Sequence, residues 1–246
     1  MVAGTPGMRA LHEALLFLND PANWQGTDGI PYRTGEHLLL SLVGLLAACL
    51  VAVPLAMWLG HRGRGGALTV LLSNASRAIP TLALLTALAT FPALGFGNVP
   101  TIIALAVFGI PPVITNTYVG MRGVDPGVTD AARGMGFAEW QVLWRVEFPL
   151  ALPLVAAGVR TAAVQIVATA TLAALVGGGG LGTFITIALA QQNVGQLLAS
   201  GLLVAALSLL VDGAAALLQR QVTPAALRRS RRSPRSPAPG AAAARA

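Results

Sequence analysis

A chain of 246 residues that is 55% hydrophobic, with a mean hydropathy of +0.71 and only 10% charged residues, is too apolar for an ordinary soluble domain. Its net charge of +7 comes from sixteen arginines and no lysine, which excludes a phosphate-holding P-loop and lysine Schiff-base chemistry. The arginines lie in the gaps between apolar blocks rather than on an aromatic-studded surface, so the basic balance belongs to a lipid bilayer and not to nucleic acid.

In chain order, residues 1–36 read as an uncleaved external tail. Their apolar stretch is interrupted by His12 and Glu13, no small-residue cleavage site follows, and Arg9 to Leu18 allows an amphipathic turn or two. Five blocks then approach the roughly 20 apolar residues that cross a hydrocarbon core: 37–59, 79–97, 100–120, 150–176 and 196–217. They predict an all-α, polytopic membrane protein with five spans and room for a sixth, its membrane domain covering 37–217. Residues 67–78, with Ser73, Asn74 and Arg77, read as an interfacial elbow, and 184–190 is too short to cross. Cys49, alone in an apolar run, is a small hydrophobe with no disulfide or metal partner. The Pro-, Arg- and Ala-rich residues 218–246 read as a disordered basic tail, topogenic rather than lipid-binding.

Arginine placement predicts orientation. Arg62 and Arg64 follow the first span, Arg122, Arg133 and Arg145 follow the third, and seven arginines lie from Arg220 onward. Residues 91–100 and 177–195 have none. The N-terminus is therefore expected outside and the C-terminus inside, with Arg9 and Arg33 outvoted.

Seven charged residues crowd into 122–147, which sets the loop 121–149 apart. Asp125 can cap a helix with Pro126 in its first turn, and Gly134 and Gly136 mark its end. Phe137, Trp140 and Trp144 then share one face of a second helix, expected to anchor the loop on its own subunit, and Pro149 and Pro153 are expected to break or bend the chain. A helix–turn–helix hairpin results. Loops of this length with helices of their own are usually functional.

Within or beside the spans, Thr115, Asn116, Thr117 and Gln165 either line a pathway or bond between helices. A charge at mid-bilayer costs about 2.5–3.5 kcal/mol on insertion scales. Arg160 must therefore either face an aqueous cavity or subunit contact, or snorkel to the interface; Asp212 reads as interfacial. Gly177 to Gly182 formally match a dinucleotide fingerprint but lack a βαβ unit and a following acid, so they read as a turn. His12, His37 and His61 are scattered without acids at ligand spacing, and no catalytic, cofactor or metal set emerges.

The polar loop resembles the cytoplasmic loop of permease subunits of binding-protein-dependent ABC importers. That pattern has an acidic residue and two alanines, then Gly, an aliphatic residue and Pro at fixed spacing. Here these are Asp130, Ala131, Ala132, Gly136, Val146 and Pro149, with Asp130 where Glu is usual and Phe148 where Leu is usual. Residues 116–136 and 158–182 are further similar to the osmoprotectant branch, which imports glycine betaine, carnitine and choline. The resemblance implies a type I importer permease fold in a bacterial cytoplasmic membrane, docking through that loop to a pair of cytoplasmic ATPase subunits. It also implies a second permease protomer, identical or paralogous, and an external substrate-binding protein on a separate chain. Alternatives are the same architecture for another small solute, an amino acid or thiol-betaine, or a purely structural membrane subunit. An intramembrane enzyme would need paired acids or a Ser–Lys set that the chain lacks.

Overall fold

The computed structural model describes residues 6–67, 69, 71 and 79–222, all of its regular elements helical. Helix α1 spans Pro6–Asn19 and is followed by a 3₁₀ turn at Pro21–Trp24. Then come α2, Ile30–His61; α3, Thr81–Ala89; α4, Asn98–Arg122; and α5, Pro126–Gly134. A continuous helix α6 covers Glu139–Val176, and α7, Gly182–Ala190, and α8, Val194–Val222, complete the order. The expected elbow at 67–78 and the basic tail beyond 222 lie largely or wholly outside the described residues.

Among the described residues four helices, α2, α4, α6 and α8, are each long and apolar enough to cross a membrane by themselves. The block at 79–97 supplies only the nine residues of α3. At 1.5 Å per residue it reaches about 14 Å, half of a hydrocarbon core. The cause is local. Pro80 precedes its first turn, and beyond Ala89 the backbone turns at Phe91–Leu94 and takes positive φ at Gly95 and Gly97 (65° and 121°).

Residues 6–36 hold more helix than the amphipathic turn or two expected. Helix α1 lies against α8, where Gly195 faces the Glu13 side chain, and the Phe17 ring meets Phe184 edge-on at 5.7 Å. Asp20 caps the following 3₁₀ turn by accepting from the Ala22 N–H at 2.9 Å, and α2 begins at Ile30.

Helices α2, α4 and α6 form the core. Lipid tails are as apolar as leucine, so spanning helices associate by close packing rather than by hydrophobic exclusion, and small residues mark their contacts. Helix α2 presents Gly44, Ala48, Ala52, Ala56 and Gly60 at every fourth position, all buried. A Cβ at Gly44 would lie 2.8 Å from that of Leu105, and one at Gly60 would lie 2.5 Å from that of Met121. Ala52 and Ala56 pack with Val113, Ile114 and Ala162. Toward the other end, Ile30, Val167, Leu181, Phe184, Val204 and Leu207 join α2, α6, α7 and α8. The leucines left outside, among them Leu46, Leu50, Leu209 and Leu210, sit where lipid accommodates them.

Pro149 and Pro153 do not break the chain. Residues Leu143–Glu147 widen into a π-turn, and the Phe148 N–H donates to the Leu143 carbonyl five residues back. The wider register absorbs the donor that Pro149 lacks, so the second helix of the hairpin and the spanning helix are one rod.

Candidate functional site: a polar hairpin and a neutral groove

The hairpin is built by local signals. Asp125 accepts from the Gly127 N–H at 2.8 Å, Pro126 opens α5, and the helix closes at Gly134. The Met135 and Gly136 N–H groups donate back to Ala131 and Arg133, and Gly136 takes φ +87°, the left-handed conformation that L side chains resist. Gln141 reaches back to the Ala138 N–H at 2.9 Å and starts α6.

Of the six motif residues, Asp130, Ala131 and Gly136 are exposed on the hairpin, whereas Ala132 is buried against the chain's own body. Val146 is half-buried in the π-turn and Pro149 is exposed just beyond it. Arg133 locks the hairpin: its Nε and Nη2 donate to the two oxygens of Glu139 at 2.9 and 3.2 Å, and Nη1 donates to Asp130 at 3.1 Å. The Glu139 carboxylate, and after it that of Asp130, holds the guanidinium above its ordinary pKa. The aromatic stripe does not anchor the hairpin inward as expected. Trp140 and Trp144 are more than half exposed, with Trp144 edge-on to Phe148 at 5.5 Å. Interfacial tryptophans of this kind suit the headgroup region of a bilayer. The inward anchors are Val142, fully buried, and Glu147.

Sequence reasoning missed the partner of Glu147. The His61 Nδ1 lies 2.6 Å from Glu147 Oε2, and its Nε2 lies 3.4 Å from Glu139 Oε2. The last residue of α2 is thus set between two acids of the hairpin's second helix.

The second feature is a groove of about 600 Å³ between α3, α4 and α6. Thr115 and Asn116 reach it from α4, and Thr161, Gln165 and Thr169, one turn apart on α6, form its other wall. Asn116 donates to the Pro112 carbonyl at 2.8 Å, and the Thr161 and Thr169 hydroxyls donate back to Ala157 and Gln165. Among the described residues the wall therefore offers lone pairs and amides but no charge. Thr117 is not on it: the residue is fully buried, its Oγ1 without a partner among the described residues. Arg160 also lies outside it, in a second groove of about 570 Å³ that shares Thr161 and Gln165. There its Nε and Nη2 donate to the two oxygens of Asp212 on α8 at 2.6 and 2.7 Å. Asp212 thus has a specific partner. It is the counter-charge of Arg160, in the bidentate geometry that suits a guanidinium and a carboxylate.

At the far end of α2, Glu36 accepts from Arg33 and from the Gly180 N–H, at 2.9 and 2.8 Å. The glycine run packs over Glu36 with left-handed φ at Gly177 and Gly180, and no strand occurs among the described residues, so it is a turn and not a nucleotide loop.

The family model described as "Binding-protein-dependent transport system inner membrane component" matches residues 44–224. The glycine betaine/carnitine/choline transport system permease protein OpuCB of Bacillus subtilis (strain 168) is 36% identical over 196 residues, 80% of this chain and 89% of the relative. The carnitine transport permease protein OpuCB of Listeria monocytogenes is 35% identical, over 81% of this chain and 90% of its own length. The osmoprotectant import permease protein OsmW of Salmonella typhimurium is 31% identical, over 79% and 92%. Among solved structures, the MetNI methionine ABC transporter in an inward-facing conformation has a similar fold, with a TM-score of 0.67 at 22% identity over 77% of this chain and 94% of that one. The match runs from the middle of α2 through the hairpin, both grooves and α8: this chain belongs to the binding-protein-dependent transport system inner membrane components.

Proposed function

We propose that the chain is one pore-lining protomer of an ATP-driven importer for quaternary ammonium solutes such as glycine betaine, carnitine or choline. The observation that carries this reading is the hairpin, a polar helical pair between two spanning helices with Asp130, Ala131 and Gly136 exposed. Small residues there let another protein's backbone approach, and α6 runs unbroken from the hairpin through the span. Movement of a docked ATPase would be carried along that helix. Relatives at 31–36% identity named for betaine, carnitine and choline support the solute class over an amino acid.

The groove supports the same reading. A lone guanidinium in the pathway would repel a quaternary ammonium, but Asp212 neutralises Arg160 in place. Thr161, Gln165 and Thr169 form a polar ridge on a spanning helix, and lipid offers such groups no hydrogen-bond partner. A second permease protomer covering that ridge would close the pathway. The ATPase pair would lie below and the binding protein on the opposite side.

The test is reconstitution. The purified chain alone should hydrolyse no ATP. In liposomes with its ATPase subunits and a binding protein, it should take up glycine betaine or choline on addition of ATP. Hydrolysis by the isolated chain, or uptake of methionine but of no quaternary ammonium, overturns the proposal.

Topology is expected to be N-outside and C-inside. The His61–Glu147 contact sets the end of α2 beside the hairpin, so reporters after Arg64 and Gly134 should both read internal. Reporters after Gly95 and Gly180 should read external. An internal signal at Gly180 defeats this orientation.

A further inference from the structure

We propose that His61 is a positioning residue that clasps the hairpin to α2, so that movement imposed on the hairpin enters the first spanning helix directly as well as α6. The inference rests on the hairpin being the ATPase-docking element.

His61 is the last residue of α2, and its side chain is 15% exposed. Its two ring nitrogens face Glu147 at 2.6 Å and Glu139 at 3.4 Å. The Nδ1 contact with Glu147 is a hydrogen bond, and the longer Nε2 approach brings the Glu139 carboxylate against the other side of the ring. Glu147 is 6% exposed, and a buried carboxylate without a partner is costly, so His61 is the group that makes its burial tolerable. Glu139 in turn receives the fork of Arg133, which also holds Asp130. The charged groups thus form a continuous chain from the exposed tip of the hairpin through Arg133 and Glu139 to His61. One turn before His61, Met57 packs with Met121, Ala151 and Val155, beside Leu143 and Phe148. The clasp therefore sits on a packed joint and not on a free loop.

The arrangement also explains the site of the π-turn. Glu147 is its last residue and points at His61, and a widened register re-aims a side chain where a regular helix would not. From the clasp, α2 runs some 38 Å at about 1.5 Å per residue back to Glu36, which holds the Gly180 N–H. Helix α2 is thus tied to the hairpin at one end and to the glycine turn at the other.

The complete transporter, with ATPase subunits and binding protein in liposomes, tests the clasp through the amount of solute moved per ATP hydrolysed. His61→Ala should leave ATPase co-purification and ATP hydrolysis within about twofold of wild type, while solute moved per ATP falls on the order of tenfold. His61→Asn, whose amide can reproduce the Nδ1 donation to Glu147, should recover part of the ratio. If His61→Ala fails to accumulate, the double variant His61→Leu/Glu147→Leu removes the buried acid with its partner, and it should insert normally yet stay uncoupled. An unchanged solute-to-ATP ratio in whichever of these variants accumulates overturns the proposal. Failure of the docking reading is seen separately, as ATPase that remains bound when Gly136 is replaced by glutamate.

Discussion

Gly136→Glu is expected to abolish uptake while the chain still accumulates in the membrane at its normal level. Among the described residues nothing beyond its chain neighbours lies within 4 Å of where a Cβ at Gly136 would stand, so no clash with them is involved. Two penalties remain. The first is backbone: at φ +87° any L side chain other than Asn or Asp costs about 1–2 kcal/mol, locally and outside the spans. The second is the surface itself, because Gly136 is exposed beside Asp130 and Ala131, and a glutamate there adds bulk and like charge to the face proposed to meet the ATPase. A displaced docking element misaligns everything driven through it, so uptake should fall by on the order of a hundredfold and the ATPase should no longer co-purify. Gly136→Asn separates the two penalties. Asparagine tolerates the left-handed conformation, is shorter than glutamate and adds no charge, so it should retain most of the uptake. Normal uptake and co-purification in Gly136→Glu would show the hairpin to be a connector.

The second large effect is expected at the pair between α6 and α8. Arg160→Leu leaves Asp212 without its counter-charge, and Asp212→Leu does the same to Arg160. Removing one member of such a pair leaves an unpaired charge on a spanning helix, whereas removing both leaves apolar helices that lipid accepts. Each single variant should lower the yield of monodisperse protein in detergent by on the order of tenfold. The double variant Arg160→Leu/Asp212→Leu should return close to the wild-type yield. Size-exclusion chromatography of the three variants reads the outcome directly. If the singles and the double behave alike, the ion pair does not hold α6 to α8.

What could be read from the sequence was what neighbouring residues decide among themselves. The hairpin was legible because its cap, its first-turn proline and its paired glycines all act within a few residues of where they stand. The small residues at 131–136 carried the family pattern for the same reason. The length of the helix in the block at 79–97 was not legible, because its apolarity spans the whole stretch while Pro80 and the backbone turns beyond Ala89 bound the helix inside it. The amphipathic start of the chain looked like a tail, since Phe17 reveals a partner only once Phe184 is placed beside it. Helical spacing put Trp140 and Trp144 on one face. Spacing alone cannot say whether that face meets the body of the protein or the headgroups, because tryptophan suits both. The two charge pairs depend on tertiary placement, with Glu147 lying 86 residues from His61 and Asp212 lying 52 from Arg160. The second pair did leave a signal: two isolated, opposite charges in separate apolar blocks are each other's natural partners.

That separation has a consequence for how the protein is made. Arg160 leaves the ribosome 52 residues before Asp212, an interval of roughly 3–10 s at ordinary translation rates. For that time α6 carries an unanswered positive charge and is a poor candidate for release into bulk lipid. The helix is therefore better held at the protein-lined exit of the insertion machinery until α8 arrives. Helices α6 and α8 would then enter the bilayer as a neutral couple, with α7 as the short strap between them, and the pairing of Arg160 with Asp212 would set the order in which the second half of the fold is made.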